Sequence, residues 1–184
     1  MNSLLTKLYY LRSFLRFRAY GSNVQLMRGG LFVRPDEVTL GDNVFIARNF
    51  LISARSLTIG SNVMIGPNLV MECDDHRMDR VGVNMRESSG NRIVSPVSIE
   101  DDVWIGANVV ILKGVTIREG SVVGAGSIVT KSTPPYSVSF GNPCKPMRTR
   151  FTAEQIGTHL ASVPSRYTPD AIVGMWRDAG LISP

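Results

Sequence analysis

The stretch Val97–Val129, VSIEDDVWIGANVVILKGVTIREGSVVGAGSIV, decides how this chain folds. Counting in sixes from Ile99 lands on Ile105, Ile111, Ile117, Val123 and Val129. Two residues before each stand Val97, Val103, Val109, Val115, Ser121 and Ser127, all small or β-branched. The phase recurs upstream at Leu40, Ile46 and Ile52, and after a one-residue insertion at Ile59, Ile65 and Met71. Their partners are Val38, Val44, Phe50, Leu57, Val63 and Leu69; Val24/Leu26 and Leu31/Val33 look like looser turns of the same array. Six is not a helical period, but it contains the strand period of two, which puts residues i and i−2 on one face. Each hexad is then a very short strand with two inward side chains, followed by a corner. Gly41, Gly60, Gly66, Gly106 and Gly124 follow the inward aliphatic residue, where a sharp bend is expected. One such coil cannot bury its own apolar face, so coils must stack.

These phased residues resemble the bacterial hexapeptide-repeat acyltransferases over roughly residues 24 to 150. The resemblance implies an all-β fold, a left-handed parallel β-helix in which three hexads make one turn of a triangular prism. It also implies a homotrimer with acetyl-CoA lying between neighbouring prisms. The expected division is an N-terminal helical cap over residues 1–22, a β-helix over 23–150 with a loop protruding at 72–96, and a helical tail over 151–184.

The repeat fails between Met71 and Val97, where ECDDHRMDRVGVNMRESSGNRIVSP is polar and rich in Gly and Ser, the composition of a loop. Long loops in compact domains are often functional. This one carries His76, one of two histidines in the chain. Moving an acyl group onto a hydroxyl requires a base for the hydroxyl proton, and imidazole is the side chain suited to that near neutral pH. The segment IGPNLVMECDDH resembles the catalytic segment of galactoside and maltose acetyltransferases, and His76-Arg77-Met78-Asp79 resembles the xenobiotic acetyltransferases. Both resemblances imply His76 as general base. Asp74 and Asp75 stand open as groups that orient the imidazole or bind acceptor hydroxyls. A metal site built on Asp74, Asp75, His76 and Asp79 lacks a second histidine or thiolate, so no metal is expected. A Cys73–His76 nucleophile pair demands an acyl-enzyme that direct transfer does not.

The half after the loop resembles the family's cofactor half. By that resemblance Trp104 lies beside the histidine at the acetyl end, and Ala107 and Ala125 face the pantetheine arm. Thr130 and Lys131 contact the cofactor, and Lys145 and Arg148 lie near its phosphates, where cations make charge-assisted contacts. Lys145 stands where relatives often have Arg and gives up bidentate geometry. Thr133-Pro134-Pro135 is expected to end the prism, since proline has no amide to donate to a ladder.

The 20 basic and 15 acidic residues give a net charge of +5, which suits an anionic partner without choosing one. Nucleic acid is not expected, because the basic residues are scattered without interleaved aromatics. Two cysteines, Cys73 and Cys144, make no disulfide framework and fit a reduced, cytoplasmic protein. No apolar run is long enough to span a bilayer, and Lys7, Arg12, Arg16 and Arg18 interrupt the N-terminal apolar residues as no signal peptide would. SLLTKLYYLRSFLRFR, residues 3 to 18, reads as a helix that caps the first coil; a peripheral contact with an anionic membrane is the other reading. Thr152 with Gln155 opens one C-terminal helix, Thr168-Pro169 opens another that stops at Gly180, and His159 is expected on a helix surface.

The resemblance and these residues together imply an acetyl-CoA-dependent O-acetyltransferase acting on a sugar hydroxyl, with a unit of a surface polysaccharide or its precursor as the expected acceptor. A xenobiotic or an amino-sugar nitrogen is the alternative acceptor, although Arg80-Val81 departs from the antibiotic-modifying pattern. A non-catalytic or metal-binding β-helix is the alternative of another class.

Overall fold

The computed structural model describes residues 16–53, 55–90 and 93–183. The helix expected over residues 3 to 18 falls almost entirely outside them. Among the described residues the chain forms a left-handed parallel β-helix whose three sheets are its three walls. Sheet A stacks β1 (Ala19–Tyr20), β4 (Val38–Leu40), β7 (Leu57–Ile59), β12 (Ser98–Ile99) and β15 (Thr116–Ile117). Sheet B stacks β2 (Gln25–Leu26), β5 (Phe45–Ile46), β8 (Met64–Ile65), β13 (Trp104–Ile105), β16 (Val122–Val123), β18 (Ser137–Phe140) and β19 (Lys145–Thr149). Sheet C stacks β3 (Leu31–Phe32), β6 (Leu51–Ser53), β9 (Val70–Glu72), β14 (Val110–Ile111) and β17 (Ile128–Val129).

The register follows the hexads. Ile99 pairs with Ile117 and with Ile59, Ile105 with Val123 and Ile65, and Ile111 with Val129 and Met71. Every inward pair from Val38/Leu40 to Ser127/Val129 is buried, and together the apolar ones fill the prism. At about 1.5–3 kcal/mol for each large aliphatic side chain removed from water, this column is the main source of cohesion. Amide ladders join the coils: Trp104 donates to the Ser121 carbonyl at 3.0 Å and Gly106 to the Val123 carbonyl at 2.8 Å.

Three details of the coils differ from expectation. The first coil begins at Ala19, inside the segment expected as a helical cap, because β1 pairs with β4. In that coil the inward residue of sheet C is Phe32, not Leu31 or Val33, each of which is 52% exposed. Phe32 packs edge-on between Phe17 and Phe50, and Gly30 leaves the space that the Phe50 ring fills. The Thr133-Pro134-Pro135 tract ends the regular hexads but not the prism, since β18 continues sheet B against β16 before β19 turns back antiparallel.

The glycines after the inward residues do not make the bends. The left-handed corners fall on Asn43, Asn62, Asn68, Asp102 and Asn108, with φ of 54°, 58°, 62°, 55° and 56°, and on Gly114, Gly120 and Gly126 in the last coils. Asparagine tolerates that region better than other side chains. Its amides also bond up the stack, Asn43 to Asn62 at 3.2 Å and Asn68 to Asn108 at 2.8 Å. Gly66 and Gly106 are small for another reason: a Cβ there would lie 2.7 and 2.6 Å from the backbone of the next coil.

After β19 the chain forms α1 (Ala153–Leu160), with the Thr152–Gln155 capping box in place, and α2 (Pro169–Asp178), capped by Thr168. Ile156, Ile172, Trp176 and Tyr136 form a second buried cluster. His159 belongs to the inner face of α1 rather than its surface. Its ring lies 4.7 Å from that of Phe151 and 5.4 Å from that of Tyr136, with Nε2 buried.

Candidate active site

The interruption of the repeat leaves the prism at the corner between sheets C and A. It starts as a two-stranded ribbon in which β10 (Asp74–Asp75) pairs antiparallel with β11 (Ile93–Val94). Ser95 donates its amide to the Cys73 carbonyl at 3.0 Å, and Asp75 forms an ion pair of 2.7 Å with Lys113, at the same corner of the next coil. The ribbon is thereby fastened to two successive coils. Sequence reasoning left Asp75 as an acceptor or orienting group; its carboxylate engages Lys113 while remaining half-exposed.

His76 follows directly, exposed, and no side chain or backbone group among the described residues hydrogen-bonds it. The backbone just beyond it is held from beneath. Ser88, buried at 2% exposure, donates its hydroxyl to the Arg77 carbonyl at 2.7 Å, and its own amide donates to the Asn84 carbonyl. Arg77 makes a two-pronged contact with Asp79, both distances 3.0 Å. That contact holds the Asp79 carboxyl below the usual carboxylate range and raises the guanidinium further. An imidazole presented to solvent on a fixed ribbon is free to accept a proton from an incoming hydroxyl.

The other site residues gather elsewhere. Trp104 points outward from sheet B, 53% exposed, in line with the exposed Met64 and Phe45 of the coils below. Ala107 and Ala125 sit on adjacent coils at the corner between sheets B and C, where Gly126 donates to the Ala107 carbonyl at 2.8 Å. Next to Gly66, Gly106 and Gly124 they leave a strip almost without side chains, against which a thin chain can lie. Thr130, Lys131 and Lys145 line one cleft of about 520 Å³ at the C-terminal end of the prism, together with Cys144. Burial raises the Cys144 thiol above its ordinary range. Arg148 stands outside that cleft on β19, opposite Val138, with its guanidinium on the Thr149 carbonyl.

His76 and Trp104 do not meet within one chain. His76 is three residues from Cys73, which is buried in the prism wall, so the extended backbone carries it at most about 10 Å outward. Sheet B is the wall opposite the corner from which it leaves.

Two groups gave no signal in the sequence. Lys113 and Ser88 lack a motif, because only the fold brings them against Asp75 and the Arg77 carbonyl. The acidic corner Glu100, Asp101, Asp102 and Glu119 carries no motif either. In the structure Arg166 reaches Asp101 at 2.6 Å and the buried Glu119 at 3.4 Å, and Arg150 reaches Asp102 at 2.8 Å. The Tyr136 hydroxyl donates to Glu119 and that of Tyr167 to Glu100. These contacts lock the C-terminal helices onto the prism.

Comparison with known proteins agrees with this geometry. Residues 96–131 match the family model described as the hexapeptide repeat of succinyl-transferase. Galactoside O-acetyltransferase of Escherichia coli (strain K12) is 40% identical over 121 residues, 62% of this chain and 58% of that protein. The chain thus spans little more than half the length of the curated relatives it matches. A hexapeptide-repeat acetyltransferase of Vibrio cholerae O1 biovar eltor, solved in complex with acetyl coenzyme A, superposes with a TM-score of 0.68 at 33% identity, over 82% of this chain and 81% of that one. A maltose O-acetyltransferase of Clostridium difficile 630 gives a TM-score of 0.69 at 32% identity, over 79% and 75%. On hexad register, coil stacking and these likenesses, the chain belongs to the hexapeptide-repeat acetyltransferases.

Proposed function

We propose that the protein transfers the acetyl group of acetyl-CoA directly to a sugar hydroxyl, on a surface polysaccharide or its precursor, at sites formed between the subunits of a homotrimer. The observation that carries this reading is the placement of an exposed imidazole, without a hydrogen-bond partner among the described residues, at the corner opposite the Trp104 wall. Two copies side by side bring His76 of one toward the Trp104–Ala107–Ala125 strip of the other. The outer faces support such packing. Sheet A turns Thr39, Thr58, Ser98 and Thr116 outward, whereas sheet B exposes Phe45, Met64 and Trp104 and sheet C exposes Leu31 and Leu51. Two apolar walls and one polar wall suit a prism with two neighbours around a threefold axis. The loop adds Met78, Val81 and Met85, which are 74%, 100% and 59% exposed.

In the reaction His76 takes the proton from the acceptor hydroxyl as its oxygen attacks the thioester carbonyl. Collapse of the tetrahedral intermediate breaks the carbon–sulfur bond, and the imidazolium returns its proton to the departing thiolate. The strip and the cleft fit the co-substrate: small residues leave room for a narrow arm, and Lys131 and Lys145 supply cations for phosphates. Asp75 and Asp74 lie one and two residues before His76, which suits them to meet the acceptor. Cytoplasmic acetyl-CoA and the thiols Cys73 and Cys144, neither in a disulfide, fit one compartment.

Acetyl-CoA turnover by the purified protein, assayed with sugar acceptors and compared with His76→Ala, tests the assignment. Loss of about 10²–10⁴-fold in kcat is expected. Equal rates would eliminate His76 as the base.

A further inference from the structure

The cleft at the C-terminal end of the prism has a second wall that its lysines do not explain. Asp178, the last residue of α2, and Ala179, its C-cap, line it along with Lys131 and Lys145, and so do Pro134 and Pro143. This wall offers acceptors. Asp178 carries a carboxylate, and among the described residues no group donates to the carbonyls of Asp178 or Ala179. It is also fixed in place. Trp176, two residues back, is fully buried and donates its indole N–H to the Pro135 carbonyl at 2.7 Å. Arg166 and Tyr167, just before the helix, bind the acidic corner.

An acidic side chain at a helix C-terminus is disfavoured by the helix dipole, so Asp178 does not stand there for the sake of the helix. A carboxylate with bare carbonyls would also repel phosphate. This side of the cleft therefore fits a part of the ligand that is flat, apolar on its faces and equipped with a hydrogen-bond donor. In a CoA thioester that part is the adenine ring with its exocyclic amine; the prolines offer apolar surface to the ring, and the acceptors meet the amine.

We propose that the C-terminal helix α2 is part of the co-substrate site, with Asp178 accepting a hydrogen bond from the adenine amine while Lys131 and Lys145 hold the phosphates, an inference that rests on acetyl-CoA being the donor. The C-terminal tail is then a specificity element for the nucleotide end of the co-substrate as well as a cover for the last coil.

Calorimetric titration of wild type and Asp178→Ala with three probes tests this: CoA, etheno-CoA, whose amine is tied into a fused ring, and phosphopantetheine, which has no adenosine. Wild type is expected to prefer CoA over etheno-CoA about tenfold or more, the worth of a hydrogen bond to a charged group. Asp178→Ala is expected to bind CoA and etheno-CoA alike, and both proteins to bind phosphopantetheine equally. Asp178 is exposed, so the variant keeps its fold, and an unchanged or slightly higher melting temperature verifies it. A full preference retained by Asp178→Ala, or none in wild type, overturns the role of Asp178 while CoA binding itself still stands. Wild type that binds no CoA at all overturns the acetyl-CoA reading, and this inference with it.

Discussion

Replacing Gly106 by alanine tests the stacking on which both the fold and the co-substrate strip depend. The new Cβ would stand 2.6 Å from the Ala125 amide nitrogen and 2.9 Å from its Cα, both backbone atoms of the next coil. Backbone cannot rotate away as a side chain can. The ladder around it is short, with Gly106 donating to Val123 and Gly126 to Ala107, each at 2.8 Å. Relief therefore requires the two coils to part where they are hydrogen-bonded. Overpacking of this kind costs about 1–3 kcal/mol, and for a chain of this length each kcal/mol lowers the melting temperature by roughly 2–4 °C. The control is Gly157→Ala in α1, where an added Cβ meets nothing within 4 Å and helix propensity favours alanine by about 0.5–1 kcal/mol. Melting curves at one protein concentration should move in opposite directions, down for Gly106→Ala and up for Gly157→Ala. A Gly106→Ala protein as stable as wild type would refute close stacking at this corner, and with it the strip proposed for the pantetheine arm.

Ser88→Ala leaves the Arg77 carbonyl without its buried donor, a loss of about 1–3 kcal/mol felt within the loop. Steady-state kinetics should show kcat reduced with KM for acetyl-CoA unchanged, because His76 is displaced and the cleft is not; Ser88→Thr, which keeps the hydroxyl, should restore part of the rate. Arg166→Ala leaves the buried Glu119 short of its cationic partner, so limited proteolysis should cut the tail after residue 150 faster than in wild type. Burial, then the hydrogen bond to Glu100, pushes the Tyr167 hydroxyl up to about 12, and burial and Glu119 raise Tyr136 further. Both tyrosines must stay protonated to donate, so their contribution is complete below pH 10, the ordinary tyrosine value, and is lost as pH rises through 12. Alkaline unfolding monitored by circular dichroism should therefore have a shallower slope in Tyr167→Phe than in wild type.

Much of this molecule could be read from its residues. A side chain six positions from the last faces the same interior, so the phased Ile and Val residues dictated the coils, their register and the place where the pattern breaks. His76 was legible because it lies in that break, and the Thr152 and Thr168 caps announced both C-terminal helices. The corners were partly misread: glycine after the inward residue suggested the bend, yet the left-handed backbone sits on Asn43, Asn62, Asn68 and Asn108, and the glycines are instead empty space for the next coil. Phe32, not Leu31 or Val33, faces inward because it stands six residues after Leu26 and in register with the inward Ile52, where its ring packs on Phe17 and Phe50. Only the folded chain could show that Lys113 grips Asp75, that Arg166 reaches back across 47 residues to a buried Glu119, or that Asp178 shares a cleft with Lys131 and Lys145. Such pairings have no period. They arise when coils and helices that are remote in sequence are packed together, and hydrophobic spacing, which is local, carries no record of which charges then become neighbours.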